Sequence, residues 1–150
     1  ARFKARPEAV ALDLLRAAGP ALGRVEGAAQ AFALLATPQA SFRSRYLLQA
    51  PAAELSLGGD ARAEAFLRAS LRKDPAPEVR ARAAEVAGRV GALGPELAAA
   101  VDDPEVRVRK AAIDAAIDAR ERRRRLDEAE RLRAARVGMF RGTRRKASAE

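Results

Sequence analysis

Apolar residues recur at intervals of three and four through most of this chain, the spacing that places side chains on one face of a helix. Nowhere do apolar and polar residues alternate long enough to predict a strand. The clearest stripe lies within 77–90 and consists of Val79, Ala83, Val86, Ala87 and Val90. Prolines and glycines divide such stretches from one another. The pattern therefore predicts an all-α protein.

The predicted helices follow from these divisions. A proline opens the first helix, over 7–18, and Thr37-Pro38 ends a second helix over 21–36. Asp60 follows Gly58-Gly59 and is a candidate N-cap, because its carboxylate can accept hydrogen bonds from the first backbone N–H groups of a helix. Further helices are predicted over 39–49 with Phe42, Tyr46 and Leu47 facing inward, 51–57 after an interruption or kink at Pro51, 61–73, 77–90, a short stretch holding Leu97 and Val101, and 105–136.

Two stretches of the chain are nearly identical. Pro77-Glu78-Val79-Arg80 and Pro104-Glu105-Val106-Arg107 each open an alanine-rich helical run, 27 residues apart. A period of this length is typical of proteins built from stacked helical hairpins. The duplication predicts an antiparallel helical-hairpin array, that is, an α-solenoid.

The pattern D-P-x-P-E-V-R, a glycine-containing turn and a short returning helix resembles the HEAT repeat, in the short variety found in bilin lyases and many bacterial scaffold proteins. The resemblance covers about residues 60–117. It implies a hydrogen-bonded ladder between neighbouring repeats, formed by the turn aspartate and the arginine of the Val-Arg pair. Here the ladder residues would be Asp74 with Arg80, and Arg107 in the second copy, where Asp102 stands five residues earlier rather than six.

Differences between the copies predict where the array ends. The 27-residue shift turns Val79, Val86 and Val90 into Val106, Ile113 and Ile117, which keeps one core stripe, but turns two alanines into Lys110 and Asp114. A terminal repeat needs a polar outer face because no further repeat covers it. We therefore expect a repeat domain over 1–117.

Beyond residue 117 the apolar face fades and opposite charges alternate at helical spacing, as in Glu121 and Arg125. This predicts a protruding charged helix over 118–136. Residues 137–150 contain two glycines and show no helical period, which predicts a flexible basic tail.

The chain has no cysteine, histidine or tryptophan. Thiol and imidazole catalysis and Cys or His metal sites are therefore excluded. Neither a catalytic group nor a cofactor or metal site is predicted, and no apolar run is long enough to span a membrane. The opening Arg2, Lys4 and Arg6 fit either an arginine-rich organellar leader or a solvated terminus, and we expect an intracellular location, cytoplasm or organelle interior.

The net charge of +9 is concentrated at the C-terminal end, where residues 105–150 carry 15 basic and 8 acidic groups. Arginine outnumbers lysine 25 to 4, which fits either phosphate and carboxylate binding or codon bias in a GC-rich genome. The expected function is a scaffold that joins a larger assembly through protein contacts. The alternatives are nucleic-acid binding, for example within a ribonucleoprotein, and bilin-lyase-like chromophore handling. The predicted partner-binding residues are Arg120, Arg122, Arg123, Arg124, Arg125, Met139, Phe140, Arg141, Arg144 and Arg145.

Overall fold

The computed structural model describes the backbone of residues 7–147 and the side chains of 8–19 and 21–137. Arg2, Lys4 and Arg6 lie outside the described residues. The described chain is all-α and contains no strand. Its α-helices are α1 (Pro7–Ala18), α2 (Ala28–Leu35), α3 (Phe42–Leu47), α4 (Gln49–Leu57), α5 (Ala61–Lys73), α6 (Pro77–Ala87), α7 (Gly94–Ala100) and α8 (Val106–Ala147), with 3-10 helices at Gly19–Arg24 and Gly91–Leu93.

The helix predicted over 21–36 is wrong in its first half. Residues Gly19–Arg24 form a 3-10 helix, and α2 begins only at Ala28. Gly27, which precedes α2, has a φ of 77°. This left-handed conformation is open to glycine at little cost and interrupts a right-handed helix. The chain therefore turns at Gly27 before α2 starts.

The segment around Pro51 forms two helices, as one of the two expectations had it, but the break lies before Pro51, at Leu48. α3 ends at Leu47 and α4 begins at Gln49, so Pro51 lies in the first turn of α4. A backbone N–H there has no intrahelical acceptor, and proline loses nothing by lacking it. The prediction that Phe42 and Tyr46 face inward is wrong. They are 49% and 38% exposed, and their rings stack with centroids 6.3 Å apart.

Helix α5 agrees with its prediction over 61–73. Asp60 caps it, because its Oδ1 accepts from the backbone N–H groups of Arg62 at 2.9 Å and Ala63 at 3.0 Å. The predicted inner face of 77–90 is also confirmed, since all five of its apolar residues are buried. Apart from Val79, this face joins a core formed with α1, α2, α4, α5, α7 and the start of α8.

The chain divides into two compact units between Ala116 and Ile117. Among the described residues, every one that belongs to the buried core lies in the first unit, and the last of them is Ala115. The second unit consists of the remainder of α8.

Helix α8 is 42 residues long and continues to Ala147, whereas the sequence pattern predicted its end at 136 and an irregular tail from 137. Glycine in a helix costs about 1 kcal/mol relative to alanine, and the other residues from 137 to 147 include no proline. Gly138 and Gly142 therefore do not end the helix. No helix among the described residues is long and apolar enough to cross a membrane.

Candidate interaction surfaces

The first unit contains a series of arginines that link the turns before α3, α6 and α8. Arg45 of α3 donates from Nη1 to the carbonyl oxygen of Ala40, in the turn before its own helix, at 2.9 Å. Through Nε and Nη2 it also donates to the two carboxylate oxygens of Asp74, at 2.7 and 3.3 Å. Asp74 precedes the next helix, α6, and also accepts from the backbone N–H of Ala76 at 3.0 Å. One guanidinium thus joins two successive turns.

Arg80 of α6 repeats this arrangement at the following turn. Its Nη1 donates to the carbonyl oxygen of Asp74 at 2.8 Å. Its Nε and Nη2 donate to Asp103 at 2.9 and 3.0 Å. Asp103 in turn accepts from the backbone N–H of Glu105 at 2.9 Å. Bidentate charged contacts of this kind combine strength with a fixed geometry. We call the series Arg45, Asp74, Arg80, Asp103 and Arg109 the arginine ladder.

Electrostatics at the second contact favour both charged forms. The hydrogen bond to Asp103 holds the pKa of Arg80 above its ordinary value, against the opposing effect of burial. Burial alone would raise the pKa of Asp103. The hydrogen bonds from Arg80 and from the Glu105 backbone, with the positive charges of Arg80 and Arg109, hold that pKa below its ordinary value. The two side chains therefore form an ion pair at neutral pH.

Arg109 repeats only the first half of the arrangement. Its Nη1 donates to the carbonyl oxygens of Asp103 and Pro104, both at 2.8 Å. Within the part of the chain that the structure describes, no carboxylate lies at its Nε or Nη2. Arg109 is thus the last residue of the ladder. The Nε–Nη2 edge of its guanidinium, which in Arg45 and Arg80 binds an aspartate, is open.

The predicted ladder residues are placed differently from the expectation. Asp74 and Arg80 do meet, but through the Asp74 carbonyl oxygen, and the carboxylate of Asp74 binds Arg45. Arg107 is not in the ladder, because it pairs with Glu78 at 2.8 Å. Asp102 is exposed, and its neighbour Asp103 takes the ladder position.

The spacing between the two Asp-Pro turns of the ladder is 29 residues rather than 27. Both Asp74 and Arg80, and Asp103 and Arg109, stand six residues apart in the pattern D-P-x-x-x-V-R. This pattern is present in the sequence, but the longer identical match of Pro-Glu-Val-Arg favoured the 27-residue alignment. Sequence reasoning therefore missed Arg45, Asp103 and Arg109 as ladder residues.

The 29-residue register also explains burial in α8. It pairs Val79 with Val108 and Ala83 with Ala112, and these four residues are fully buried. The core stripe predicted from the 27-residue shift is wrong, because Val106, Ile113 and Ile117 are 67%, 43% and 62% exposed. The two registers differ by two residues, about 200° around a helix, so each places the opposite face inward.

The exposed face near the start of α8 differs from the corresponding face of α6. In the 29-residue register Ala81 and Ala84 of α6 correspond to Lys110 and Ile113 of α8. Ala84 is fully buried, whereas Ile113 is exposed. The predicted charged pair between Lys110 and Asp114 is present, with Nζ and Oδ2 3.3 Å apart. This face is therefore bulkier and more polar than its counterpart on α6.

The second unit carries the predicted partner-binding arginines. Every described side chain from Arg120 to Val137 is exposed. At 100° per residue, Arg120, Arg123, Arg124 and Arg131 share one side of α8, and Arg122, Arg125, Arg133 and Arg136 share the opposite side. We call these the front and back stripes. Glu121 and Arg125 form the predicted ion pair, with Oε1 and Nε 3.0 Å apart.

The remaining predicted residues lie beyond the described side chains. Met139, Phe140, Arg141, Arg144 and Arg145 belong to α8 by their backbone, and their side chains fall outside the described part of the structure.

Comparison with protein-family models, with curated proteins and with solved structures finds no match to this chain.

Proposed function

We propose that this chain is a non-catalytic helical-repeat protein of the HEAT-like, α-solenoid type that serves as an accessory subunit of a larger assembly. The arginine ladder supports the repeat interpretation, because the same contact recurs at successive turns. Arg80 and Asp103, whose pKa values are shifted, serve the ladder and bind each other rather than facing an open site. Perturbed pKa values arise in structural ion pairs as well as at catalytic sites.

One observation carries the proposed function. Residues 120–137 remain helical although every side chain among them is exposed. A helix that is polar all round buries nothing within its own chain and is typical of an element that bridges solvent or meets a partner. Ion pairs such as Glu121–Arg125 add only a few tenths of a kcal/mol each. We therefore assign protein docking to this helical arm.

Nucleic-acid binding is the competing function, and the exposed arginines on both sides of α8 favour it. Phosphate contacts made by arginine give affinity that depends on salt and not on sequence. Acidic residues interrupt the arm, however, and stacking platforms for bases, which single-strand binders use, are absent from 117–137. Protein docking is the better supported of the two.

The two stripes allow a matched test. One variant replaces the four arginines of the front stripe by glutamine, and the other replaces the four arginines of the back stripe, so the two carry equal net charge. A protein partner would contact one side of the arm. We therefore expect one variant to lose binding of the partner and the other to retain it. Nucleic acid held mainly by counterion release should instead be weakened similarly by both.

The measurement is affinity capture from a nuclease-treated native extract, followed by binding of the purified partner to both variants. Anisotropy titrations with generic RNA and DNA at several salt concentrations run in parallel. Two results together would favour nucleic-acid binding over protein docking. Capture would disappear after nuclease treatment, and both variants would lose affinity for RNA and DNA equally. A chain ending at residue 117 is a further control, and should fold but capture the partner far more weakly than the full chain.

A further inference from the structure

The end of the arginine ladder has the form of a binding site for a carboxylate. Arg45 and Arg80 each use Nη1 for a carbonyl oxygen of the preceding turn and Nε with Nη2 for an aspartate of the following turn. Arg109 has the first contact in the same geometry, at 2.8 Å to the Asp103 carbonyl oxygen. That bond orients the guanidinium, and the side chain is half-buried. The entropy lost on binding a ligand is therefore reduced.

Apolar surface adjoins this edge. Val106 and Ile113 lie on the side of α8 that faces away from the buried Val108 and Ala112, and both are exposed. In the preceding repeat the position equivalent to Ile113 is Ala84, which is fully buried. An open guanidinium edge beside exposed apolar residues matches a partner that offers a carboxylate and an apolar helix face together.

We propose that Arg109, Val106 and Ile113 form a docking site for a helical hairpin of another protein, which supplies an aspartate from the turn before its first helix to Nε and Nη2 of Arg109. The inference rests on the proposed function and names the chemistry of the partner. The aspartate is the ligand that both preceding ladder arginines bind. Because Ile113 is larger than Ala84, the partner helix would pack at ordinary interhelical distance, about 8–10 Å, rather than in closer contact.

A second copy of this chain is a poor occupant. Its two aspartates of the required kind, Asp74 and Asp103, are already held by its own Arg45 and Arg80. Six residues before Arg45, where Asp74 stands before Arg80, the chain has Gln39. The chain therefore has an open arginine at its last repeat, and the aspartates of both its Asp-Pro turns are occupied. Asp60, which also precedes a helix, is followed by alanine instead of proline and caps α5.

The test uses the full chain with a photo-cross-linking residue in place of Val106, and a control with the same residue in place of the exposed Leu34. After irradiation in native extract, cross-linked peptides are sequenced. We expect a product specific to the Val106 position whose partner peptide contains an aspartate just before a helical segment. A cross-link to nucleic acid, to a second copy of the chain, or to nothing above the Leu34 control would overturn the proposal.

Binding of the purified partner then measures the role of the guanidinium. Arg109→Lys keeps the positive charge but removes the two guanidinium donors that can bind both carboxylate oxygens. It should weaken binding of the partner about tenfold or more. Arg107→Lys, at an exposed neighbour paired with Glu78, is the matched control and should change binding less than about twofold. Replacing the partner's aspartate by asparagine should weaken binding as much as Arg109→Lys does. The two substitutions together should weaken binding no further than either one alone.

The results separate this site from the proposed function. Unchanged binding by Arg109→Lys, with binding still lost in one stripe variant, overturns the Arg109 site and leaves docking through the arm in place. If the Arg109, front-stripe and back-stripe variants all still capture the partner, the Arg109 site and docking through the arm are both overturned.

Discussion

Gly88 lies so close to Ala115 that a Cβ on Gly88 would be 2.7 Å from the Ala115 carbonyl oxygen and 3.1 Å from its Cβ. The end of α6 therefore contacts the last buried turn of α8 almost backbone to backbone. Gly88 has a right-handed conformation, with a φ of −58°. Space, and not backbone strain, requires glycine at this position.

Gly88→Ala should destabilise the protein by about 1–3 kcal/mol, because the added methyl group meets backbone that cannot rotate away. Gly91→Ala is the matched control. Gly91 is the first residue of the short 3-10 helix and does not have a positive φ, and a Cβ added to it would have no neighbouring atom within 4 Å. It should be neutral or stabilising by up to about 1 kcal/mol. Urea unfolding followed by circular dichroism measures both, and equal stability of the two variants would contradict the close contact.

The burial pattern at the start of α8 predicts opposite results for two valines that are two residues apart. Val108→Ala removes buried volume and should cost about 2 kcal/mol of unfolding free energy. Val106→Ala removes the same atoms from an exposed position and should stay within about 0.5 kcal/mol of the parent. Thermal and urea unfolding compare the pair. A larger loss for Val106→Ala would restore the 27-residue alignment.

Asp103→Asn should destabilise the first unit by about 2 kcal/mol, because it leaves the half-buried guanidinium of Arg80 without its charged acceptor. Asp102→Asn removes the same charge from the adjacent exposed residue and should have little effect. Chemical denaturation of the two variants side by side isolates the ladder contact from the change in net charge. Similar losses in both would assign the effect to net charge instead.

The same contact predicts a dependence on pH. The pKa of Asp103 is lower in the folded than in the unfolded protein, so its stabilising effect is complete above the unfolded value, about 3.9. It is lost as the pH falls through the lower folded value. The difference in unfolding free energy between the parent and Asp103→Asn should be constant from about pH 7 to 5 and shrink below about pH 4. A difference that grows as the pH falls would contradict this assignment.

The helical class, the Asp60 cap and the inner face of α6 could be read from the sequence because each depends on local spacing. The inner face of α8 could not. Val106-Arg107 and Val108-Arg109 offer two consecutive Val-Arg pairs, and the sequence supports aligning either one with Val79-Arg80. Only the tertiary contact of Arg80 with Asp103 decides between them.

The arginine ladder was predicted in kind but not in its partners. Arg45 and Asp74 are 29 residues apart and Arg80 and Asp103 are 23 apart, so no constant separation marks the pairs. Within one turn, Asp74 and Arg80 are only six residues apart, and that local spacing suggested the wrong acceptor atom. The break at Gly27 was missed for another reason: the apolar spacing continues through it, whereas its φ of 77° depends on how the chain folds back.

The contact between Arg80 and Asp103 also bears on how the first unit opens at its C-terminal end. Asp103 lies in the turn that leads into α8, so separating the first turns of α8 from α6 would strand a half-buried guanidinium. Fraying at that end therefore cannot proceed residue by residue at low cost, as it does at most chain ends. The start of α8 should open together with the α6–α7 hairpin, as one cooperative unit in amide hydrogen exchange.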